Sequence, residues 1–142
     1  MFLGEYDHSV DDKGRLAIPA KFRASLEEGL FITRGLERCL VVFDVDAWRT
    51  MAERVQALNP WQGDARRMQR HFFSGAVQAQ PDKLGRVVLP QYLRDYAGIA
   101  SDVVVVGLWD RVEIWAREEW QRERSEAETN SAALAEHLAG SA

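Results

Sequence analysis

A chain of 142 residues fits one ordinary domain, or two small units sharing a core. With 46% hydrophobic and 28% charged residues its composition is globular, and no apolar run approaches the ~18–20 residues of a membrane span. The formal net charge of −4 argues against nucleic acid only at first sight: residues 1–94 carry 14 Lys and Arg against 12 Asp and Glu, residues 95–142 carry 4 against 10. A local basic surface is therefore open to the first two thirds, while the tail is acidic.

The opening "MFLGEYDHSV" has neither a basic n-region nor an apolar h-region, so it reads as no targeting peptide and predicts a cytoplasmic protein. "VDDKGRLAIP" follows as strand, tight turn and strand, with Gly14 supplying the positive φ of a hairpin loop. Pro19 ends the strand and suits the first turn of a short helix, "PAKFRASLEEG", which stops at its glycine. "LFITRG" and "CLVVFD" read as a hairpin. The lone Cys39 reads as a small core residue of its second strand and excludes both a disulfide framework and a Cys-based zinc site. "DVDAWRTMAERVQAL" opens with an acidic cap and has helical spacing at Trp48, Met51, Val55 and Leu58. Residues 59–74 form a connector, with Asn59-Pro60 and Gly63 as breakers before a basic helix. The order then returns: "PDKLGRVVLP" with Gly85 and Pro90, "PQYLRDYAG", a hairpin from "DVVVVG" and "RVEIWA", and a polar helix from Arg117 expected to fray at its end.

The return is a duplication. An offset of 71 residues aligns "DDKGRLAIPAKFR" with "DKLGRVVLPQYLR", matching Asp11/Asp82, Gly14/Gly85, Arg15/Arg86, Pro19/Pro90 and Arg23/Arg94. An offset of 72 then aligns residues 30–48 with 102–120, including Gly35/Gly107, Leu36/Leu108 and Trp48/Trp120. The expected division is a first unit over 1–58, a basic linker helix over 59–74, a second unit over 75–120 and a C-terminal helix or tail over 121–142. One unit of four short strands cannot bury its own apolar faces, so an α+β pseudo-dimer with a barrel-like core is expected.

A turn whose chemistry recurs needs a reason. Asp11–Arg15 and Asp82–Arg86 would close exposed salt bridges, worth roughly 0–1 kcal/mol each. Alternatively the hairpins hold Lys13, Arg15, Lys83 and Arg86 out as cations, with the aspartates setting their orientation. Arginine's planar fork suits phosphate oxygens and the guanine edge. The residues alone leave the two readings level.

Other constellations are weaker. His8, His71 and His137 have no metal-ligand spacing, Asp7-His8 lacks a nucleophile in a recognisable turn, and neither phosphate-loop motif occurs. No cofactor, metal or catalytic role follows. "ARRMQRHFF" reads as the solvated face of a linker helix with Met68, Phe72 and Phe73 turned inward, or as a second nucleic-acid patch. Trp48 and Trp120, at equivalent helix positions, read as core or subunit contacts rather than stacking platforms for single strands.

The two D-x-x-x-R turns, each running into "IP" or "LP", together with "MFLGEYDHSVDDKGRLAIPAKFR", closely resemble the MraZ family of bacterial transcriptional regulators. The resemblance covers all but about the last fifteen residues. It implies two tandem units of the swapped-hairpin DNA-binding fold shared with AbrB, SpoVT-type regulators and MazE-type antitoxins. It also implies a nucleoid-associated repressor at the head of the division and cell-wall gene cluster, binding repeated double-stranded sites upstream of its own gene as a ring of subunits. Carried over by position, Arg15 and Arg86 are the first contact candidates and Lys13 the next. Lys83 is offset, standing where the first copy has Asp12, and Asp11 and Asp82 are orienting or subunit-contact residues. An antitoxin-like or scaffolding oligomer is the alternative, disfavoured by two units and a short tail.

Overall fold

Short strands with an apolar residue at every second position cannot cover themselves, and here each repeat lends a strand to the other. The computed structural model describes residues 1–140. In chain order the elements are β1 (Phe2–Ser9), β2 (Arg15–Ala17), a 3-10 turn (Ala20–Phe22) running into α1 (Arg23–Leu26), β3 (Leu30–Arg34), β4 (Leu40–Asp44) and α2 (Val45–Gln56). Then come α3 (Gly63–Ser74), β5 (Val77–Ala79), β6 (Arg86–Val88), α4 (Gln91–Ala97), β7 (Asp102–Trp109), β8 (Val112–Ala116) and α5 (Arg117–Gly140).

The strands form a six-stranded antiparallel sheet, ordered β1–β7–β8–β4–β3–β5, and a separate two-stranded ribbon, β2–β6. β1 of the first repeat pairs with β7 of the second, and β5 of the second with β3 of the first. The registers define an internal pseudo-two-fold axis. In the ribbon Leu16 pairs with its own counterpart Val87, and in the sheet Val41 pairs with its counterpart Glu113. The α+β class and the tandem swapped-hairpin arrangement are as expected, with β1 and β5 standing at the two edges of the sheet.

The core lies between the inner sheet face and the ribbon. Leu16, Ile18, Val87 and Leu89 from the ribbon and its continuations join Leu30, Ile32, Val103 and Val105 of the sheet in one buried cluster. The short helices close its ends with Phe22, Leu26, Leu93 and Ala97. Burying each large side chain contributes ~1.5–3 kcal/mol, a gain neither repeat reaches alone. Asp44 caps α2, accepting from the Ala47 N–H at 2.8 Å. α4 ends on Gly98 in the left-handed region, the expected stop.

The outer sheet face is covered unequally. Over the first repeat, Trp48 of α2 lies nearly parallel between Phe31 at 4.6 Å and Phe72 of α3 at 5.0 Å. The Thr33 hydroxyl fixes α3 by donating to the Phe72 carbonyl at 2.6 Å. Over the second repeat, Trp120 of α5 packs on Trp115 with Val104 and Val106 beneath. There nothing among the described residues takes the place of α3.

Four local expectations change. The 72-residue offset holds for β4 and β8 but not for β3 and β7: Leu30 and Ile32 share the core with Val103 and Val105, an offset of 73. Between the last paired residues, Arg34–Leu40 and Gly107–Val112, the second loop is one residue shorter, and strand alternation makes a one-residue slip change faces. Gly35 and Gly107 are thus not equivalent. Cys39 is buried as expected but sits in the loop before β4. Met68 and Phe73 remain over a third exposed; only Phe72 of that trio is fully inward. Finally, α5 is one continuous helix to Gly140.

Candidate nucleic-acid interface

Each turn is organised by one carboxylate. Asp11 Oδ1 accepts from the backbone N–H of Lys13 at 3.0 Å and of Arg15 at 2.8 Å, while Oδ2 accepts from Arg15 Nε at 2.7 Å. Asp82 repeats this, accepting from the N–H of Leu84 and of Arg86 at 2.9 Å each and from Arg86 Nε at 2.9 Å. The backbone closes both loops identically, from Gly14 N–H to Asp11 C=O and from Gly85 N–H to Asp82 C=O. Gly14 and Gly85 have φ of 78° and 75°, which side-chain-bearing residues rarely adopt. Hydrogen bonds to the Arg15 N–H, then to its side chain, hold the Asp11 carboxyl below its usual value; Arg86 does the same for Asp82.

Ribbon register decides where the arginines go. Arg15 pairs with Val88 and Ala17 with Arg86, so these four side chains share the face opposite buried Leu16 and Val87. Arg15 and Arg86 are diagonal neighbours on adjacent strands, with Cα atoms about 7–8 Å apart. Each aspartate engages only Nε. Among the described residues no ion pair or hydrogen bond takes the terminal guanidinium nitrogens of either arginine. Lys13 and Lys83 are exposed on the flanking turns. They are not equivalent: Lys13 occupies the position of Leu84, and Lys83 that of Asp12.

A second pair of arginines, Arg23 and Arg94, is marked in the sequence only by its repeat identity. Arg23 Nε donates to the Ile18 carbonyl at 3.0 Å, and Arg94 Nε to the Leu89 carbonyl at 2.9 Å. The same two residues tie the repeats together, Ile18 N–H donating to Gly85 C=O and Leu89 N–H to Gly14 C=O at 2.8 Å each. Each guanidinium lies against the other repeat's turn glycine. A Cβ on Gly14 would stand 2.9 Å from Arg94 Nη2, and one on Gly85 2.7 Å from Arg23 Nε. Four arginines and two loops thus form one unit across the pseudo-axis. The five-residue spacing from Ile18 to Arg23 and from Leu89 to Arg94 was the available signal; the cross-repeat contact was not.

Other candidates lie elsewhere. α3, with exposed Arg66, Arg67 and Arg70, packs on the outer sheet face, the side opposite the ribbon. Asp7 and His8 point to opposite faces of β1, registering with Val104 and Val103, and Asp7 instead pairs with Arg117 at 3.8 Å. His71 Nε2 lies 2.9 Å from the Gly35 carbonyl, a structural tie between α3 and the first hairpin loop.

The sequence profile described as "MraZ protein, putative antitoxin-like" matches twice, over residues 1–71 and 72–141. The chain belongs to the MraZ family. It is similar to the protein named transcriptional regulator MraZ of Herpetosiphon aurantiacus, 49% identical over 138 residues, 97% of this chain and 96% of that protein. The protein of the same name from Natranaerobius thermophilus is 43% identical over 138 residues, with the same shares covered. The double match to the MraZ profile agrees with the internal duplication, each match holding one D-x-x-x-R turn.

Proposed function

We propose that this chain is a transcriptional regulator that binds double-stranded DNA through the β2–β6 ribbon and its two turns. The observation that carries the reading is the placement of Arg15 and Arg86 on one ribbon face, each held through Nε with no hydrogen bond or ion pair to its terminal nitrogens among the described residues. A two-stranded ribbon fits the ~12 Å major groove, and a guanidinium fork matches the O6 and N7 acceptors of guanine. The ~7–8 Å diagonal between the arginines corresponds to about two base-pair steps. Lys13 and Lys83 reach the flanking phosphates, and Asp11 and Asp82 orient the arginines rather than contact the nucleic acid.

The functional units are taken as 1–58 and 75–120, joined by 59–74. A single module of two to four cations binds weakly and with strong salt dependence. Several copies, assembled as a ring on repeated sites, gain by effective concentration. The site class this favours is a set of short repeats upstream of the protein's own gene, in the division and cell-wall cluster, with repression as the outcome and a nucleoid-associated location.

Arg15→Ala and Arg86→Ala should each weaken binding to that upstream fragment about 5- to 150-fold, at ~1–3 kcal/mol per base contact, without unfolding the protein. Gel-shift titration and thermal melts measure the two quantities. Wild-type affinity in both variants would sink the ribbon assignment.

A further inference from the structure

We propose that the last three turns of α5 from one copy dock into the outer-face groove of a second copy, beside α3. The inference rests on the self-assembly part of the reading above and supplies its interface.

The groove, about 550 Å³, runs over the pseudo-axis between α3 and the hairpin loops. Its apolar wall includes Leu36, Val41, Met51, Val55, Met68 and Phe72, and no residue of α5 from the same chain lines it. Leu36 is 76% exposed although it stands at the rim of an apolar surface. The charged lining is balanced, Arg34 and Arg111 against Glu37 and Glu113. Net positive charge comes from α3, where exposed Arg67 lies one turn before groove-lining His71 and Arg70 adjoins it.

The helix has the complementary features. α2 spans 12 residues and ends at Gln56, whereas its counterpart α5 spans 24 and runs on to Gly140. No residue of α5 is buried. Its extra length after Glu128 is a rod of about 18 Å. Leu134 and Leu138, one turn apart on a single stripe, are 49% and 67% exposed. Residues 125–140 contain Glu126, Glu128 and Glu136 and no Lys or Arg, the charge that Arg67 and Arg70 attract. Two leucines enter an apolar groove; at ~100° per residue Glu126 and Glu128 flank their stripe on opposite sides and Glu136 stands behind it, so the attraction to the basic helix is one of net charge. This gives a role to the acidic tail and to the 65–73 cluster, both of which lie apart from the ribbon.

The test combines mass measurement with a directed cross-link. By light scattering, wild type should be larger than one chain, and Leu134→Glu with Leu138→Glu should lower the mass to roughly half or less. Leu36→Cys with Leu138→Cys, oxidised mildly, should give a ladder of covalent multimers that neither single change gives. Cys39 need not be removed, because burial pushes its thiol up to about 12. Assembly that persists in the glutamate variant with no cross-link assigns the groove to another partner and overturns the docking while leaving self-assembly standing. A cross-link confined to single chains also overturns it, placing the tail in its own groove. Monomeric wild type overturns docking and assembly together, leaving the ribbon's DNA reading to the gel shift.

Discussion

The turns at 11–15 and 82–86 have one backbone and two displays. Both carry the aspartate that accepts two N–H groups and an Nε, and both place a glycine at φ near +75° to +78° under an arginine from the other repeat. Yet one shows Asp12 and Lys13 where the other shows Lys83 and exposed Leu84. On the ribbon face, half-buried Ala17 corresponds to exposed Val88. Duplication has held the parts that aim an arginine and varied the parts around it. On the proposed reading, a pseudo-symmetric ribbon of this kind would meet the local two-fold of a duplex while presenting different flanks to its two strands.

The shared frame breaks most severely at the glycines. Gly14→Ala puts a Cβ 2.9 Å from Arg94 Nη2 and 3.1 Å from the Leu89 carbonyl, at a φ that disfavours it. A loss of about 1–3 kcal/mol is expected, as for other strained backbone positions. In an Arg94→Ala background the same change should cost less, because only the backbone strain and the carbonyl contact remain; a double-mutant cycle from denaturant melts measures the difference. Equal costs in both backgrounds would mean that the cross-repeat arginine does not brace the turn.

How much of this was legible beforehand follows from what each feature depends on. Gly14, Gly85, Pro19, Pro90 and the Asp44 cap act within a few residues, so their types announce the turn or helix end they make. The strand exchange does not: β1 with β7 and β5 with β3 are pairings between distant segments whose apolar alternation would equally suit pairing within a repeat. The Gly35/Gly107 match misled because a shorter second loop shifts β7 by one residue, a slip that only facing partners reveal. Arg23 and Arg94 were visible as identities, but their role needs a carbonyl in their own repeat and a glycine in the other. The basic cluster at 65–73 resembled a DNA patch by composition; Thr33 and Trp48 fix its helix to the far side of the sheet.

The varied displays separate by salt. Lys13→Leu and Lys83→Leu should each weaken DNA binding only modestly, leave site preference unchanged, and reduce the slope of log affinity against log salt by about 1 if each lysine meets a phosphate. Loss of both should add. A slope that falls for one lysine alone would mean that only one flank of the ribbon touches the backbone, making the offset between Lys13 and Lys83 a functional asymmetry rather than drift.

The smallest effect is the most exacting for the shared frame. In each turn the N–H of the arginine, followed by its side chain, depresses the aspartate's folded-state pKa relative to the ordinary value of about 3.9. A depressed carboxylate contributes stability that is fully present above its unfolded value and lost as pH falls through the folded one. Between pH 5 and 8 both aspartates therefore stay ionised, and neither turn should lend a titration step to DNA binding. Carboxyl-carbon NMR should place both midpoints below the ordinary value, in the same direction, despite the unlike neighbours Asp12 and Lys83. If Asp82 titrated normally while Asp11 did not, the second turn would be held by its ladder bonds alone, and Arg86 would be free to swing where Arg15 is aimed.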